Sequence, residues 1–176
     1  MMERQTRGPM DESPAQADWR RWLDDHAPKF LLFARQQARS EADAQDLVQD
    51  SLVEAMQRQR NDGPPPPALV FATIRRRAID LARSEDRRSR REQAAFDEVP
   101  ECWFDRNAEE NELGPLMQNA MKRLPDIYRE VITLKVWGEL TFAEIAAALD
   151  IPANTAASRY RYGLAELRKL TKEVLA

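Results

Sequence analysis

The stretch TFAEIAAALDIPANTAASRYRYGLAEL, residues 141–167, decides the fold of the second half of the chain. Thr141 and Glu144 have the spacing of a capping box, which starts a helix, and Pro152 forces a second helix to begin after it. Three consecutive alanines before that break allow the two helices to approach closely. The apolar seam between them consists of Ile145, Leu149 and Ile151. Two short helices packed around a tight turn predict a helix-turn-helix.

The helix that follows Pro152 opens with small and polar residues, and two arginines come next. Small residues let the helix N-terminus approach phosphates, and polar or arginine side chains reach base edges in the major groove. We therefore expect this helix to contact DNA, although two helices packed in an ordinary bundle would share much of the pattern. The candidate contacts are Asn154, Thr155, Ser158, Arg159, Arg161 and Tyr162.

The rest of the chain is also predicted to be helical, which makes the fold class all-α. The 176 residues include only five glycines, and helix-forming residues dominate. Apolar side chains recur at steps of three and four, which indicates three helices in residues 18–95 and four in residues 116–176. We expect an N-terminal arm without regular structure at 1–17, and a flexible acidic linker at 96–115 that joins the two small domains.

Several helix ends can be placed from local signals. Ser40 has the position of an N-cap, and the four prolines at 64–67 end a loop before a helix that should run from about Ala68 to Arg91. In the second domain we expect helices at 116–124, 126–137 and 153–175 besides the short one that the capping box starts. Three details are expected there: Pro125 at the first helical position, Gly138 just past a helix end, and Leu164 on the buried stripe of the last helix.

Charge is distributed unevenly, although its sum is only −3. The linker at 96–115 carries seven acidic residues and one basic residue, whereas each flanking block is mildly basic. Trp103 and Phe104 are two large apolar residues within this acidic setting. They could anchor the linker to a domain, and the composition equally suits a free tether.

Two further helical segments carry concentrated charge. Asp43, Asp46, Gln49 and Asp50 share one face of a helix, where most such acidic faces are simply solvated. Residues 75–91 contain eight arginines against three acidic residues. Arginine binds phosphate through two hydrogen bonds and stacks on unpaired bases, so this run predicts contact with a nucleic acid strand. Phe71 is a candidate stacking partner for a base, although a core position is the better interpretation.

The sequence argues against an enzyme. His26 is the only histidine and lies among apolar neighbours, and Cys102 is the only cysteine. We therefore expect no catalytic residues, no metal site and no cofactor. A single cysteine, an N-terminus without the apolar core of a signal peptide, and no apolar run of spanning length together predict a cytoplasmic protein.

Several motifs now occur in a fixed order. DAQDLVQD at 43–50, IDLAR at 79–83, and RLP at 123–125 followed by YREVITLK at 128–135 resemble, in order and spacing, stretches of bacterial RNA polymerase sigma factors. With the helix-turn-helix, the resemblance covers about residues 18–170. The lack of a domain between the two blocks is similar to the extracytoplasmic-function (ECF) group. Departures include Leu69 and Arg76, near which the family usually has Trp and Asn, and Ala157, where a basic residue is frequent.

The resemblance implies a role for each charged segment. The first block would bind core polymerase at the clamp coiled coil of the largest subunit, through Asp43, Asp46, Gln49 and Asp50. The same block would recognise and melt the minus-10 element, and the second block would read the minus-35 element beside the polymerase flap. The minus-10 candidates are Arg75, Arg76, Asp80, Arg83, Arg87 and Arg88. The minus-35 candidates are the six residues named above on the second helix of the helix-turn-helix.

The resemblance therefore implies a factor that directs core polymerase to promoters, with promoter DNA as a partner and an anti-sigma factor as a further one. Two alternatives stay open. One is a sigma-like decoy that binds only an anti-sigma factor, although a decoy would not need the arginine run. The other is a different helix-turn-helix regulator, which the acidic helix at 43–50 disfavours.

Overall fold

The computed structural model describes residues 14–59, 63–89, 102–104 and 113–175. Within these ranges the chain forms seven helices and no strand, which confirms the all-α fold class. In chain order the helices are α1 (Pro14–Arg35), α2 (Glu41–Arg58), α3 (Pro67–Ser89), α4 (Leu113–Arg123), α5 (Asp126–Val136), α6 (Phe142–Leu149) and α7 (Ala153–Leu175). None of the described helices is long and apolar enough to cross a membrane.

Helices α1, α2 and α3 pack against one another around aromatic side chains. Phe30 and Phe33 of α1 both meet Phe71 of α3 edge to face, with ring centroids 4.9 and 5.5 Å apart, and all three side chains are fully buried. Such pairs add to the energy of apolar burial. Phe71 is therefore a core residue. Ser40 is the N-cap of α2, as predicted, and its hydroxyl accepts the Asp43 amide.

The second half of the chain forms the predicted helix-turn-helix from α6 and α7, supported by α4 and α5. The capping box of Thr141 and Glu144 forms in both directions. Asp150 takes a left-handed conformation, with φ of 54°, and ends α6 two residues before Pro152. Gly163 of α7 lies against α5, where a Cβ atom would be only 2.9–3.0 Å from side-chain atoms of Ile132 and Tyr128. A glycine at this position lets α5 and α7 approach closely.

The two halves also pack on each other, mainly through α3 against α6 and to a smaller extent through α1 against α5. One apolar cluster runs through both halves. It includes Phe71 and Ile74 from α3 together with Leu134 from α5 and Ile145 from α6, all at most 1% exposed. The structure is therefore one packed body, which no sequence pattern had indicated.

Several boundary predictions were wrong by a few residues. Helix α1 starts at Pro14, within the segment expected to be an arm, and α4 starts at Leu113, within the expected linker. Pro125 is the N-cap of α5 instead of its first helical residue. Gly138 does follow the C-cap of α5, but the left-handed residue there is Glu139, with φ of 56°. Leu164 is 40% exposed, because Gly163 takes the inward position on α7.

Candidate functional site

The first candidate surface is the N-terminal half of α7, the second helix of the helix-turn-helix. Ile145 and Leu149 of α6 and Ala156 of α7 are buried in the seam between the two helices. Because that seam fixes the rotation of α7, its polar residues face outward. Asn154, Arg161 and Tyr162 are exposed, and Thr155, Ser158 and Arg159 are half-buried.

The side chains on this face have few partners within the described residues. Arg161 stacks on the Tyr162 ring at 5.0 Å and donates to its hydroxyl at 3.3 Å. Among the described residues, no side-chain hydrogen bond or ion pair engages Asn154, Thr155, Ser158 or Arg159. The structure therefore brings the six predicted contacts together on one face, and four of them have unused hydrogen-bonding capacity there.

The second candidate surface is a groove of about 400 Å³ between α2 and α3. Three of the four predicted polymerase-binding residues line it, namely Asp43, Asp46 and Asp50. Gln49 is exposed on α2 but lies outside the groove. The opposite wall comes from α3 and consists of Arg76, Arg77, Asp80 and Leu81. Two predicted minus-10 residues, Arg76 and Asp80, thus share one groove with the acidic face of α2.

Ion pairs hold the two walls of this groove together. Arg77 bonds both Asp50 and Glu54 of α2, and Arg76 bonds Glu54 as well. Burial raises the pKa of Glu54, but the hydrogen bond from Arg77 and the charges of Arg76 and Arg58 outweigh that effect, so the pKa lies below its ordinary value. These contacts give Arg76 and Asp50 a structural role besides any role in binding.

The third feature concerns Arg75, another predicted minus-10 residue, which faces the second half of the chain. Its Nε donates to the Glu130 carboxylate of α5 at 3.0 Å, and the Gln37 amide donates to the same oxygen at 3.3 Å. Glu130 is only 8% exposed. Arg83 is exposed on α3, and the side chains of Arg87 and Arg88 lie outside the described part of the chain. The six predicted minus-10 residues therefore do not form a single surface here.

The segment 102–104 is the described central part of the linker, and it is docked. Trp103 is 5% exposed and packs in the core of the second half, where its amide donates to the Gln118 side chain at 2.9 Å. Its carbonyl accepts from Arg35 of α1 at 3.0 Å. Phe104 packs on Trp137 with a centroid distance of 5.4 Å. Of the two interpretations of this aromatic pair, the structure favours an anchor.

Sequence reasoning missed Glu54 and Glu130, although each pairs with arginines of the highlighted run. Glu54 lies four residues after Asp50, so continuing the acidic face of α2 by one turn would have found it. No signal in the sequence marks Glu130, because its partners Arg75 and Gln37 belong to the other half of the chain. Among the described residues no group of three or more His, Cys, Asp or Glu side chains could hold a metal ion.

Comparison with known proteins gives a family match for each half of the chain. Residues 22–88 match the family described as Sigma-70 region 2, and residues 116–167 match Sigma-70, region 4. The chain is 33% identical over 140 residues to the RNA polymerase sigma-E factor of Streptomyces avermitilis, which covers 80% of this chain and 77% of that protein. It is 29% identical over 163 residues to the ECF RNA polymerase sigma factor SigL of Mycobacterium tuberculosis, covering 86% and 87%.

The chain belongs to the ECF sigma factors. A sigma factor directs core RNA polymerase to promoters and has no enzymatic activity of its own. Two solved structures share the fold of this sigma factor. The sigma factor RpoE of Bartonella quintana, in complex with the anti-sigma factor NepR, matches with a TM-score of 0.67 at 24% identity over 88% of this chain and 97% of that one. CnrH in complex with the cytosolic domain of CnrY matches with a TM-score of 0.56 at 20% identity over 91% of each chain.

Proposed function

We propose that this sigma factor divides its work among three surfaces. The α2 side of the groove binds the clamp coiled coil of polymerase, the arginine-rich part of α3 holds the opened minus-10 strand, and the outer face of α7 reads the minus-35 element. The observation that carries the proposal is the face of α7, where four polar side chains in one row have no partner among the described residues. Such side chains form base or phosphate contacts without first breaking internal bonds.

The test of the DNA assignment is transcription by a reconstituted holoenzyme. Core polymerase and the purified chain are incubated with genomic fragments, and the transcripts are sequenced to find their start sites. We expect start sites preceded by shared minus-35 and minus-10 elements, and run-off transcripts from one such template. A chain that binds core polymerase but yields no start site beyond those of core alone would contradict the proposal.

The polymerase assignment rests on Asp46, which is exposed at the groove and, unlike Asp50, pairs with no arginine among the described residues. Asp46→Arg reverses the charge that an arginine-rich partner would meet, so association with core polymerase should be lost while helicity is kept. Asp24→Arg is the matched control, because Asp24 is an exposed acid on α1 that lies outside the groove. Equal capture of both variants on immobilised core polymerase would refute this surface.

We also propose a protein inhibitor of the anti-sigma class as a second partner. Support comes from two similar proteins: RpoE was solved with the anti-sigma factor NepR, and CnrH with the cytosolic domain of CnrY. Because core polymerase and the chromosome are cytoplasmic, we place the active sigma factor in the cytoplasm. A pull-down that uses the tagged chain and an extract of its own cells tests the inhibitor, provided that the captured protein blocks run-off transcription when it is purified and added back.

A further inference from the structure

Helix α7 has two tyrosines, and only one of them packs against the core. The ring of Tyr160 meets Phe142 of α6 edge to face, with centroids 5.6 Å apart, beside the apolar cluster that runs through both halves. Tyr162 is 55% exposed and lies on the outer face of α7 among the predicted minus-35 contacts. The Tyr162 ring therefore contributes little to apolar burial and is available for another contact.

The contact that Tyr162 makes is with its neighbour Arg161. The guanidinium of Arg161 lies over the Tyr162 ring, 5.0 Å from its centroid, and one of its nitrogens donates to the phenol oxygen at 3.3 Å. No other side-chain hydrogen bond or ion pair engages either residue within the described part of the chain. The attraction between a cation and an aromatic face is weak at an exposed site, but it favours one orientation of the guanidinium.

The Arg161 side chain crosses the surface of the helix to reach this ring. Successive residues project about 100° apart around a helix, so Arg161 and Tyr162 do not share a side. Tyr162 follows Ser158 by four residues and Arg159 by three, and it is therefore their neighbour on the helix surface. The ring thus brings the guanidinium toward the row of polar side chains on the outer face.

The helix beneath this pair is closely packed. Gly163 lies so near α5 that a Cβ atom there would be only 2.9–3.0 Å from side-chain atoms of Ile132 and Tyr128, and Ala156 is fully buried. These small residues fix the distance and the rotation of α7 relative to its supports. The fold therefore sets the place of the Tyr162 ring, and a ring on a rigid element can orient a side chain that binds a ligand.

We propose that Tyr162 is a positioning residue, which holds the Arg161 guanidinium for paired hydrogen bonds to one guanine of the minus-35 element. A positive charge can bind phosphate in many orientations, whereas paired bonds to guanine O6 and N7 require an oriented guanidinium. The N–H groups lie in the plane of the guanidinium, so a ring against its face leaves most of them available. The proposal rests on the function proposed above, in which the outer face of α7 reads this element.

Binding of the holoenzyme to promoter fragments tests the assignment. Each position of the minus-35 element is substituted in turn in a fluorescent fragment, and dissociation constants are measured at one salt concentration. Arg161→Ala should weaken binding on the order of tenfold and abolish discrimination at one G·C pair. Tyr162→Ala should weaken binding about threefold to fivefold and reduce discrimination at that pair alone. Tyr162→Phe keeps the ring and should stay within about twofold of wild type.

Two further variants separate positioning from direct contact with DNA. If Tyr162 acts through Arg161, the double variant Arg161→Ala with Tyr162→Ala should bind no more weakly than Arg161→Ala alone. Leu164→Ala is the matched control, because Leu164 is also a large exposed residue of α7 and has no part in the pair. This control should leave both affinity and discrimination unchanged.

Nuclear magnetic resonance of the free chain tests the orientation of Arg161 without DNA. The ring current of Tyr162 shifts the signals of a guanidinium that lies over it. The Arg161 Nε–H proton signal should therefore move in Tyr162→Ala and stay near its wild-type position in Tyr162→Phe. Arg161→Lys identifies the signal by removing it.

Each contrary outcome overturns a stated part of the proposal. Additive losses in the double variant would mean that Tyr162 contacts DNA independently of Arg161. An equal loss on every fragment in Arg161→Ala would indicate a phosphate contact, and lost discrimination at a base other than guanine would refute the assigned ligand. An Arg161 signal that does not move in Tyr162→Ala would refute the positioning role. If the wild-type holoenzyme binds no promoter fragment, the proposed function fails, and the resonance result still decides whether Tyr162 orients Arg161.

Discussion

Helices α3 and α7 both carry arginines predicted to meet promoter DNA, yet the structure uses these arginines differently. On α3, Arg76 and Arg77 bond acidic residues of α2, and Arg75 bonds Glu130 across the contact between the halves. On α7, Arg159 has no partner among the described residues, and Arg161 only stacks on its neighbour Tyr162. The arginines at positions 75–77 of α3 are therefore engaged inside the fold, whereas Arg159 and Arg161 of α7 bond no other element among the described residues.

The difference shows that a run of arginines in the sequence does not by itself identify a DNA-binding surface. Helix α3 lies between α1 and α2 on one side and α6 on the other, so charges at its flanks meet acidic partners from several elements. Helix α7 rests on α4, α5 and α6 through small and apolar residues, so its outer face keeps its polar groups for a ligand. Arginines without internal partners, as on α7, therefore indicate a binding surface more reliably than positive charge alone, which the start of α3 also carries.

The largest expected effect breaks the apolar support of α3. Phe71→Ala removes a side chain that is 1% exposed and packs against Phe30 and Phe33, so the free energy of unfolding should fall by about 3–5 kcal/mol. Urea denaturation followed by circular dichroism measures the change. Leu164→Ala is the control, because Leu164 is 40% exposed on α7 and its truncation should cost less than about 1 kcal/mol. A loss for Phe71→Ala no larger than that of the control would show that Phe71 is not a core residue.

The next effect compares one arginine from each helix. Arg159→Ala should leave stability within about 0.5 kcal/mol of wild type and weaken promoter binding by the holoenzyme by about 1–3 kcal/mol, which is on the order of tenfold to a hundredfold. Arg77→Ala should instead reduce stability and leave promoter binding by the holoenzyme nearly unchanged. It breaks two ion pairs that join α3 to α2, so it should reduce stability by up to about 1 kcal/mol, since the side chain is 35% exposed.

Promoter binding is measured with a fluorescent DNA fragment at one fixed salt concentration, and stability by urea denaturation. If Arg159→Ala destabilised the fold as much as Arg77→Ala, the contrast between the helices would be lost. If Arg77→Ala weakened DNA binding as strongly as Arg159→Ala without changing stability, Arg77 would belong to the DNA surface instead.

The elements of this fold could be predicted because their signals are local. Ser40, the Thr141 and Glu144 pair, and Pro152 each fix a helix end through bonds or sterics within a few residues, and each works as expected. The errors occur where a contact with a residue far away in the sequence determines the local structure. Gly163 faces inward because α5 lies too close for a side chain there, so Leu164 is exposed and the prediction that it is buried is wrong.

The sequence predicts which residue types form the candidate site. It does not predict which of these residues bond one another in the fold. The polar row on α7 follows from helical spacing, which is a local property. The bond between Arg75 and Glu130 joins residues 55 positions apart, and the docking of Trp103 beside Arg35 joins residues 68 apart. Packing of the two halves creates both contacts, and a sequence pattern confined to one half carries no information about them.

The smallest expected effect concerns Glu54, the acid that holds two arginines of α3. Its pKa in the folded chain lies below its ordinary value, because the bonds and charges of Arg77, Arg76 and Arg58 outweigh the opposing effect of burial. A carboxyl group whose folded pKa is lowered contributes stability above its unfolded pKa, and that contribution is lost as the pH falls through the folded pKa. Glu54→Gln should therefore reduce stability by about 0.5 kcal/mol at pH 7. The gap from wild type should shrink toward zero as the pH falls below about 4.5. Urea denaturation of both proteins across this range measures the gap, and a gap independent of pH would mean that the charge of Glu54 does not hold α3 to α2.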